Sequence, residues 1–490
     1  MTSDVKEAAT NTSAVSAARW SLIQGVVGLL LQFATLSFLA RLLETEVFGA
    51  MAILLIVQGI ATLFAQTGLS SALIQRAQLT DSALHSLYWL NVGLGVTVSI
   101  VLFLAAPFVS ALFGMPELRA TTQVMSVTFL ISCWSIQFQT LARKQLQFRR
   151  IALINLSALL VTGIVSVLLA WFGFALWSLV LGVVVASTVR SVAFLAFGIH
   201  DHGAPAVHFD WEEVRQMVAF GAHRLGAMLA NEVNSRIDQL LVGGMLGAEA
   251  LGFYSVATRI VVQPIDLTNP VVTRVAFPLL SRFQDDHERL TRTYLEIVGL
   301  VTAANAPLMV AVAVLAQWYV PLLLGNGWES VILPIQILAG YALLRSVINA
   351  GSSLILAKGR ADWTFYWNLS LLLLYPPALY TAASLGGLIA LALTLACLQA
   401  LVLFLYHRAL IQPLTGIGLV RFMLEIGRPI SCAIGAGLVA HTTIELIGRT
   451  NPLFNVFAGA AVGAIAYVAL AVVLMPGRVA TVRRIAFSNG

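Results

Sequence analysis

The chain has 490 residues, of which 59% are hydrophobic and only 10% are charged. Because a soluble domain usually carries about 25% charged residues, this composition excludes an ordinary water-soluble fold and predicts a protein that lies within a membrane. The formal net charge of +6 is then explained by the placement of Lys and Arg around membrane spans, so the basic character does not indicate nucleic-acid binding.

Apolar runs of about 20 residues recur along almost the whole chain, and each is long enough to cross ~30 Å of hydrocarbon as a helix. The polar residues 1–16 lack the basic start and short apolar run of a cleaved signal peptide, so the first span is expected to remain. We predict an all-α polytopic membrane protein with fourteen transmembrane helices. The expected spans are 18–40, 48–67, 84–109, 120–142, 150–171, 174–197, 216–243, 250–275, 293–316, 331–356, 363–383, 385–407, 428–447 and 453–475.

Lys and Arg concentrate in the connections that are cytoplasmic if the N-terminus is inside. Arg143 and Lys144 in one connection and Arg483 in the C-terminal tail follow this bias, whereas Arg41 and Arg119 are exceptions. Since cytoplasmic loops carry an excess of Lys and Arg, we predict that both termini are cytoplasmic.

Short patterns recur in the two halves of the chain. The segment 42–49 resembles the segment 245–252, and both contain a glutamate and a glycine at matching positions. Two further pairs are Val109–Gly114 with Val320–Gly325, and Leu141–Lys144 with Leu356–Gly359. The similar offsets of 203, 211 and 215 positions indicate two copies of one unit.

Paired membrane lobes are typical of transporters, whose substrate site lies between the two repeats. We therefore predict an N-terminal lobe over 1–205 with spans one to six, and a C-terminal lobe over 206–410 with spans seven to twelve. Spans thirteen and fourteen and a cytoplasmic tail follow over 411–490. The two lobes are expected to enclose a central cavity.

The seventh span contains an unusual row of polar side chains, which are costly in hydrocarbon and normally face a cavity. At 100° per residue, Arg224, Asn231 and Asp238 fall on one stripe of that helix. Glu232 and Arg236 lie four residues apart beside it, in the favourable order for an ion pair.

Two other spans add charge to the expected cavity. In the eighth, Arg259, Gln263 and Asp266 share a face, and prolines are expected to break the helix beside them; in the tenth, Arg345 and Asn349 share a face. The surplus of arginine suits an anionic ligand, because guanidinium binds phosphate with two hydrogen bonds. The predicted substrate-binding residues are Arg224, Asn231, Arg236, Arg259, Gln263, Arg345 and Asn349, with Glu232, Asp238 and Asp266 as ion-pair partners or coupling acids.

Other chemistry is weakly indicated. The connection 198–215 contains three histidines and two aspartates, but their spacing fits no standard zinc pattern, so a solvated linker is favoured over a metal site. The three cysteines lie within spans as packing residues. No Gly-Lys dipeptide of a phosphate-binding loop occurs. Trp134, Tyr254 and Tyr341 are interpreted as packing residues rather than as platforms for sugar rings. We predict no catalytic residue, no metal and no cofactor.

Several motifs together carry a family resemblance. They are Arg41–Gly49, Gly68–Arg76, Asp238–Gly243, Leu251–Ser255 and Phe277–Arg282. Over about residues 15–475, the chain resembles the bacterial polysaccharide-unit flippases (Wzx-type), which belong to a superfamily that also includes multidrug-and-toxin exporters. It departs from the commoner form of the first motif, which has Gly-Pro where Glu44 and Thr45 stand.

The resemblance implies translocation of undecaprenyl-diphosphate-linked oligosaccharide repeat units across the bacterial inner membrane, by alternating access, for exopolysaccharide, capsule or lipopolysaccharide synthesis. The implied partners are this lipid-linked oligosaccharide, membrane lipid, a polysaccharide polymerase and a chain-length regulator, without nucleic acid. One alternative is an ion-coupled multidrug exporter, whose site should be acidic or aromatic. Another is a membrane glycan polymerase or ligase, which would need a large external loop with catalytic residues.

Overall fold

The computed structural model describes residues 2–65, 80–448 and 451–476, and this part of the chain is helical without any strand. The predicted all-α class is therefore confirmed. Side chains are described for most of these residues; those of 2–18, 216–217, 219–224, 227, 230, 267–275 and 361 are outside the description. The motif Gly68–Arg76 also lies outside the described residues.

The first half of the chain forms helices joined by short connections. They are α1 (Thr2–Leu42), α2 (Thr45–Ala65), α3 (Asp81–Phe113), α4 (Glu117–Ser132), α5 (Ile136–Lys144), α6 (Phe148–Trp171), α7 (Ala175–His202) and α8 (Trp211–Arg282). Within this half, α6 packs along both α1 and α7, and α3 packs along α4.

The second half continues in the same way. Its helices are α9 (His287–Val314), α10 (Ala316–Leu324), α11 (Ile332–Ala357), α12 (Ala361–Tyr406), α13 (Gln412–Thr415), α14 (Leu419–Ile447) and α15 (Pro452–Leu474). A short 3₁₀ turn precedes α11, and a π-helical turn follows α12.

The chain divides into two compact units, Met1–Gly252 and Phe253–Gly490. The boundary falls inside α8, a few residues after Gly247, whose φ of 86° and ψ of −178° interrupt the helical backbone. Only glycine adopts this conformation readily. The lobes 1–205 and 206–410 rest on the sequence repeat and stay a prediction.

Eleven helices in the described part of the chain are long and apolar enough to cross a membrane, or twelve if α4 and α5, bent by 52°, form one broken span. The sequence predicted fourteen. The stretch Asn231–Asp266 contains the break at Gly247, and the stretch Asp362–Thr415 contains non-helical backbone at Gly386 and Gly387. Each stretch therefore covers parts of two predicted spans, and the count of fourteen stays a prediction.

The core of the second unit gathers large aromatic side chains where α9, α11, α12 and α14 meet. Tyr294 and Phe422 are almost completely buried there. The Tyr406 ring packs edge-on against Trp367 with 5.3 Å between centroids. An added Cβ on Gly351 would lie 2.6 Å from the Tyr406 ring, so the close packing of α11 on this ring depends on a residue without a side chain.

The two copies of the first repeated pattern contact each other within the first unit. A Cβ on Gly49 would overlap the backbone carbonyl of Ala248, and a Cβ on Gly252 would overlap the carbonyl of Thr45. Both pairs of matching residues are 203 positions apart, so the contact is reciprocal. Small residues allow such close approach of helix backbones in membranes. We call this set of four residues the reciprocal glycine contact.

Alanine at Gly49 or Gly252 should destabilise the protein, because the added Cβ meets a carbonyl that moves only with its own helix. Overpacking of this kind costs about 1–3 kcal/mol, so the melting temperature in detergent should fall. Gly93 on α3 is the control, since nothing lies within 4 Å of a Cβ added there. Gly93→Ala should be neutral or slightly stabilising; equal melting temperatures for Gly49→Ala and Gly93→Ala would contradict the contact.

The orientation is testable with single cysteines on either side of α9 and α10. Asn326 and Asp285 are both exposed in short connections, the first expected outside and the second inside. In a cysteine-free background, Asn326→Cys should react with a membrane-impermeant maleimide in intact cells. Asp285→Cys should react only after permeabilisation. The opposite labelling pattern would show that the predicted orientation is wrong.

Candidate functional site

The polar residues of the seventh predicted span lie on the part of α8 that precedes Gly247, within the first unit. Asn231 is exposed, and Glu232, Arg236 and Asp238 are half-buried. The backbone of Arg224 is helical, but its side chain is outside the described residues. The structure therefore places all five residues on one stretch of helix and describes the side chains of four of them.

Glu232 and Arg236 form an ion pair along the helix. The Glu232 Oε1 atom lies 3.1 Å from the Arg236 Nε atom. The Glu232 side chain is 22% exposed and the Arg236 side chain is 36% exposed. The protein therefore covers most of the pair, and solvent or lipid contacts the rest. The sequence left open whether Glu232 is an ion-pair partner or a coupling acid, and the structure shows it in an ion pair.

The same carboxylate also packs against α2. A Cβ added to Gly59 would lie 2.9 Å from the Glu232 Oε1 atom, so the missing side chain at Gly59 leaves room for the ion pair. No sequence pattern predicts the contact between Gly59 and Glu232, because the two residues are far apart in the chain. The signal in the sequence was a glycine in the middle of a span, where a small side chain allows another helix to approach closely.

Two further polar groups of this helix have local roles. The Asp238 carboxylate accepts a hydrogen bond of 2.8 Å from the backbone N–H of Gln239. The amide oxygen of Asn234 is buried and has no hydrogen-bond partner in the described structure. An unpaired buried oxygen is costly, which makes Asn234 a candidate ligand contact in addition to the predicted set.

The second unit contains the other predicted site residues. Arg259 and Gln263 are half-buried on the part of α8 that follows Gly247, and Asp266 is exposed on the same face. Arg345 and Asn349 are half-buried one turn apart on α11. The backbone stays helical at Pro264, so the expectation of a proline break there is wrong; the interruption of α8 is at Gly247.

Asp266 has an electrostatic partner that the sequence did not assign to it. Its carboxylate interacts electrostatically with the Arg345 guanidinium, whereas the sequence pattern placed Asp266 only on the face shared with Arg259 and Gln263. The two residues belong to α8 and α11 of the second unit. A cation and an acid on different helices can neutralise each other, or can separate when an anionic ligand binds the arginine.

The connection 198–215 is tied to several helices of the first unit. Asp201 pairs with Arg150, and the His202 ring lies 2.8 Å from the Gln145 amide. The His208 ring lies 2.9 Å from the Ser82 hydroxyl. Their partners are all different, and no group of three metal-ligating side chains converges among the described residues. These contacts hold the segment against other helices of the first unit.

The aromatic residues considered as sugar platforms differ in exposure. Tyr254 is completely buried and packs in the core, in agreement with the packing interpretation. Trp134 is 39% exposed and contacts Trp89 edge-on, with 6.4 Å between the ring centroids. Tyr341 is half-buried on α11, one turn before Arg345.

Comparisons with known proteins agree with this architecture. A family described as "Polysaccharide biosynthesis protein" matches residues 38–333. The chain is 30% identical to the Lipopolysaccharide biosynthesis protein WzxC of Escherichia coli (strain K12) over 427 residues, or 87% of each chain. It is 25% identical to the Succinoglycan biosynthesis transport protein ExoT of Rhizobium meliloti (strain 1021), over 92% of this chain and 91% of that one.

A solved structure shares the fold. The lipid II flippase MurJ in an inward closed conformation superimposes with a TM-score of 0.72. The match covers 95% of this chain and all of that one, at 13% sequence identity. At this identity the likeness establishes a common helical architecture alone.

Replacing Glu232 by Gln should destabilise the protein, because Arg236 then lacks its partner. A fully buried pair loses about 3–5 kcal/mol in this way, and the partial exposure of Arg236 reduces the expected loss to about 1–3 kcal/mol. The double variant Glu232→Gln with Arg236→Gln should recover most of the membrane abundance. Thermal unfolding in detergent and abundance in membranes measure the effect.

The pair Arg292–Glu296 is the control, since it has the same spacing and the same 3.1 Å distance but side chains that are 80% and 63% exposed. Glu296→Gln should change stability by less than about 0.5 kcal/mol. If Glu232→Gln is as stable as Glu296→Gln, the pair beside Gly59 does not stabilise the fold.

Proposed function

The chain belongs to the polysaccharide biosynthesis protein family, and we propose that it is a flippase for lipid-linked oligosaccharides. The match over more than half of the chain supports the assignment, and so does the relation to WzxC over most of its length. The fold shared with a lipid II flippase is compatible with it.

The substrate class that the site chemistry fits best is an undecaprenyl-diphosphate-linked oligosaccharide. A diphosphate is a compact double anion, and guanidinium groups bind it with paired hydrogen bonds. Arg259 and Arg345 are half-buried within helices that are long enough to span the membrane. Their position supports the proposal, because an arginine is retained at such depth when it has a partner or a ligand.

The amide side chains complement the arginines. Gln263 and Asn349 each lie one helical turn after an arginine, on α8 and α11 respectively. Amides donate and accept hydrogen bonds, as sugar hydroxyls do. In the proposed cycle, the arginines hold the diphosphate and the amides contact the first sugars, while the polyprenyl chain stays in the bilayer.

Movement of the polar head requires two states of the protein. The sequence repeats indicate two copies of one unit, which favours alternating access by a rocking motion of the copies. In the proposed cycle, the diphosphate replaces the Asp266 carboxylate at Arg345 when the substrate binds. The substrate leaves again when Asp266 and Arg345 re-form their interaction. This chain carries out transport in the proposal, and no bond of the substrate is broken.

The cellular setting follows from the proposed substrate. We place this multi-pass protein in the bacterial inner membrane with both termini in the cytoplasm. The translocated units would serve exopolysaccharide, capsule or lipopolysaccharide synthesis. A polysaccharide polymerase that joins them outside, together with its chain-length regulator, is the proposed partner system.

Arg259→Ala and Arg345→Ala should each abolish polysaccharide export while the protein remains in the membrane. The Lys variants should restore little export, because an ammonium group does not reproduce the two parallel hydrogen bonds of guanidinium. Export is measured as surface polysaccharide in a strain that lacks the chromosomal copy, alongside the abundance of each variant in membranes.

Arg292→Ala is the control, since Arg292 lies 80% exposed on α9 and should support normal export. Wild-type export from Arg259→Ala and Arg345→Ala at normal abundance would remove both arginines from the substrate site. If Arg345→Ala lowers abundance and Asp266→Asn restores both abundance and export in the double variant, the arginine serves only as an ion-pair partner.

A further inference from the structure

A turn rich in arginine and lysine joins α5 to α6 in the first unit. Arg143 and Lys144 end α5, and Arg149 and Arg150 lie in the first turn of α6. Arg143 and Arg149 are exposed. We call residues 143–150 the basic turn. It contains four cationic side chains, and one of them, Arg150, forms an ion pair with Asp201.

Two of these guanidinium groups are held in place by aromatic rings. The Arg149 Cζ atom lies 5.7 Å from the centroid of the Trp20 ring, and the Arg150 Cζ atom lies 4.7 Å from the centroid of Phe197. Arg150 also donates a hydrogen bond of 3.0 Å to the Gln147 side chain. Because these contacts order the side chains in advance, an anion that binds them has less side-chain freedom to remove.

Leu146, at the centre of the basic turn, has a backbone conformation that is unfavourable for leucine. Its φ is +58°, in the left-handed region where the Cβ atom is crowded. A similar turn occurs in the second unit. The N–H of Leu146 donates to the carbonyl of Arg143, and the N–H of Gly359 donates in the same way to the carbonyl of Leu356; both donors have a positive φ. Leu146 is therefore strained at a turn position where glycine would not be.

The strained backbone leaves the leucine side chain 48% exposed, with cationic residues before and after it in the chain. Backbone strain that persists in a fold is a reason to look for a function. An apolar side chain among cations matches the boundary of a bilayer, where anionic headgroups meet acyl chains. The geometry suits neither a soluble anion, which needs no apolar contact, nor a neutral lipid, which needs no cations.

We propose that the basic turn docks the headgroup of an anionic phospholipid of the surrounding bilayer, of the phosphatidylglycerol type. The exposed arginines bind the phosphate, and Leu146 enters the acyl chains beside it. The docked lipid fixes the α5–α6 connection at the membrane surface. This inference goes beyond the proposed function, since it concerns a lipid of the bilayer and not the transported one.

The test measures lipid binding to the purified full chain in detergent by native mass spectrometry. Dioleoyl-phosphatidylglycerol should bind saturably and more tightly than dioleoyl-phosphatidylcholine. Arg143→Gln with Arg149→Gln should weaken phosphatidylglycerol binding by roughly 30-fold, at about fivefold for each cation near an anionic lipid surface. The phosphatidylcholine affinity should stay within twofold of the wild type.

Leu146→Gly separates the proposed contact from folding. It relieves the left-handed strain, so the protein should melt no lower than the wild type, yet its phosphatidylglycerol affinity should fall several-fold. The control variant Arg289→Gln with Arg292→Gln removes the same charge from exposed arginines of α9 that pair with acids. It should leave phosphatidylglycerol binding within twofold of the wild type.

Two results would overturn the proposal. The first is equal loss of phosphatidylglycerol binding in the basic-turn variant and in the control variant, since only overall charge would then matter. The second is binding of undecaprenyl diphosphate at the basic turn without competition by phosphatidylglycerol, which would assign the surface to a different lipid. Neither result depends on transport, so failure here leaves the proposed flippase function untouched.

Discussion

Hydrocarbon offers no hydrogen-bond partner to a backbone amide, and this constraint shapes the whole of the described chain. Helices satisfy their own backbone groups, so they are the form in which such an apolar sequence crosses a bilayer. Interruptions occur where the backbone leaves the helix at glycine, as at Gly247 and at Gly387. The break at Gly247 lies within α8, a few residues before the boundary of the first compact unit at Gly252.

The same constraint applies to charged side chains. Within the described spans, Glu232 pairs with Arg236, and Asp266 interacts electrostatically with Arg345. These pairs differ in setting, since the first lies along one helix and the second joins two helices. A contact between helices can change when the helices move, so Asp266–Arg345 is the more suitable of the two for a transport cycle.

Most of the spans could be predicted from the sequence, because hydropathy over about 20 residues is a local property. The repeat could also be recognised, and the structure adds that the two copies of its first short pattern meet at Gly49 and Gly252 within the first unit. That contact joins residues 203 positions apart, and no local pattern predicts it. The partner of Asp266 was missed for the same reason. A break at Pro264 was expected because proline lacks an N–H, but the helix continues there.

Translocation by the purified protein would show whether this chain moves lipid-linked oligosaccharides across a bilayer. Vesicles would contain the protein and an undecaprenyl-diphosphate-linked oligosaccharide, and an impermeant glycosidase added outside would digest every exposed glycan. With the protein present, glycan that starts in the inner leaflet should become digestible over time. If the protected fraction stays the same as in vesicles without protein, the chain does not flip this substrate.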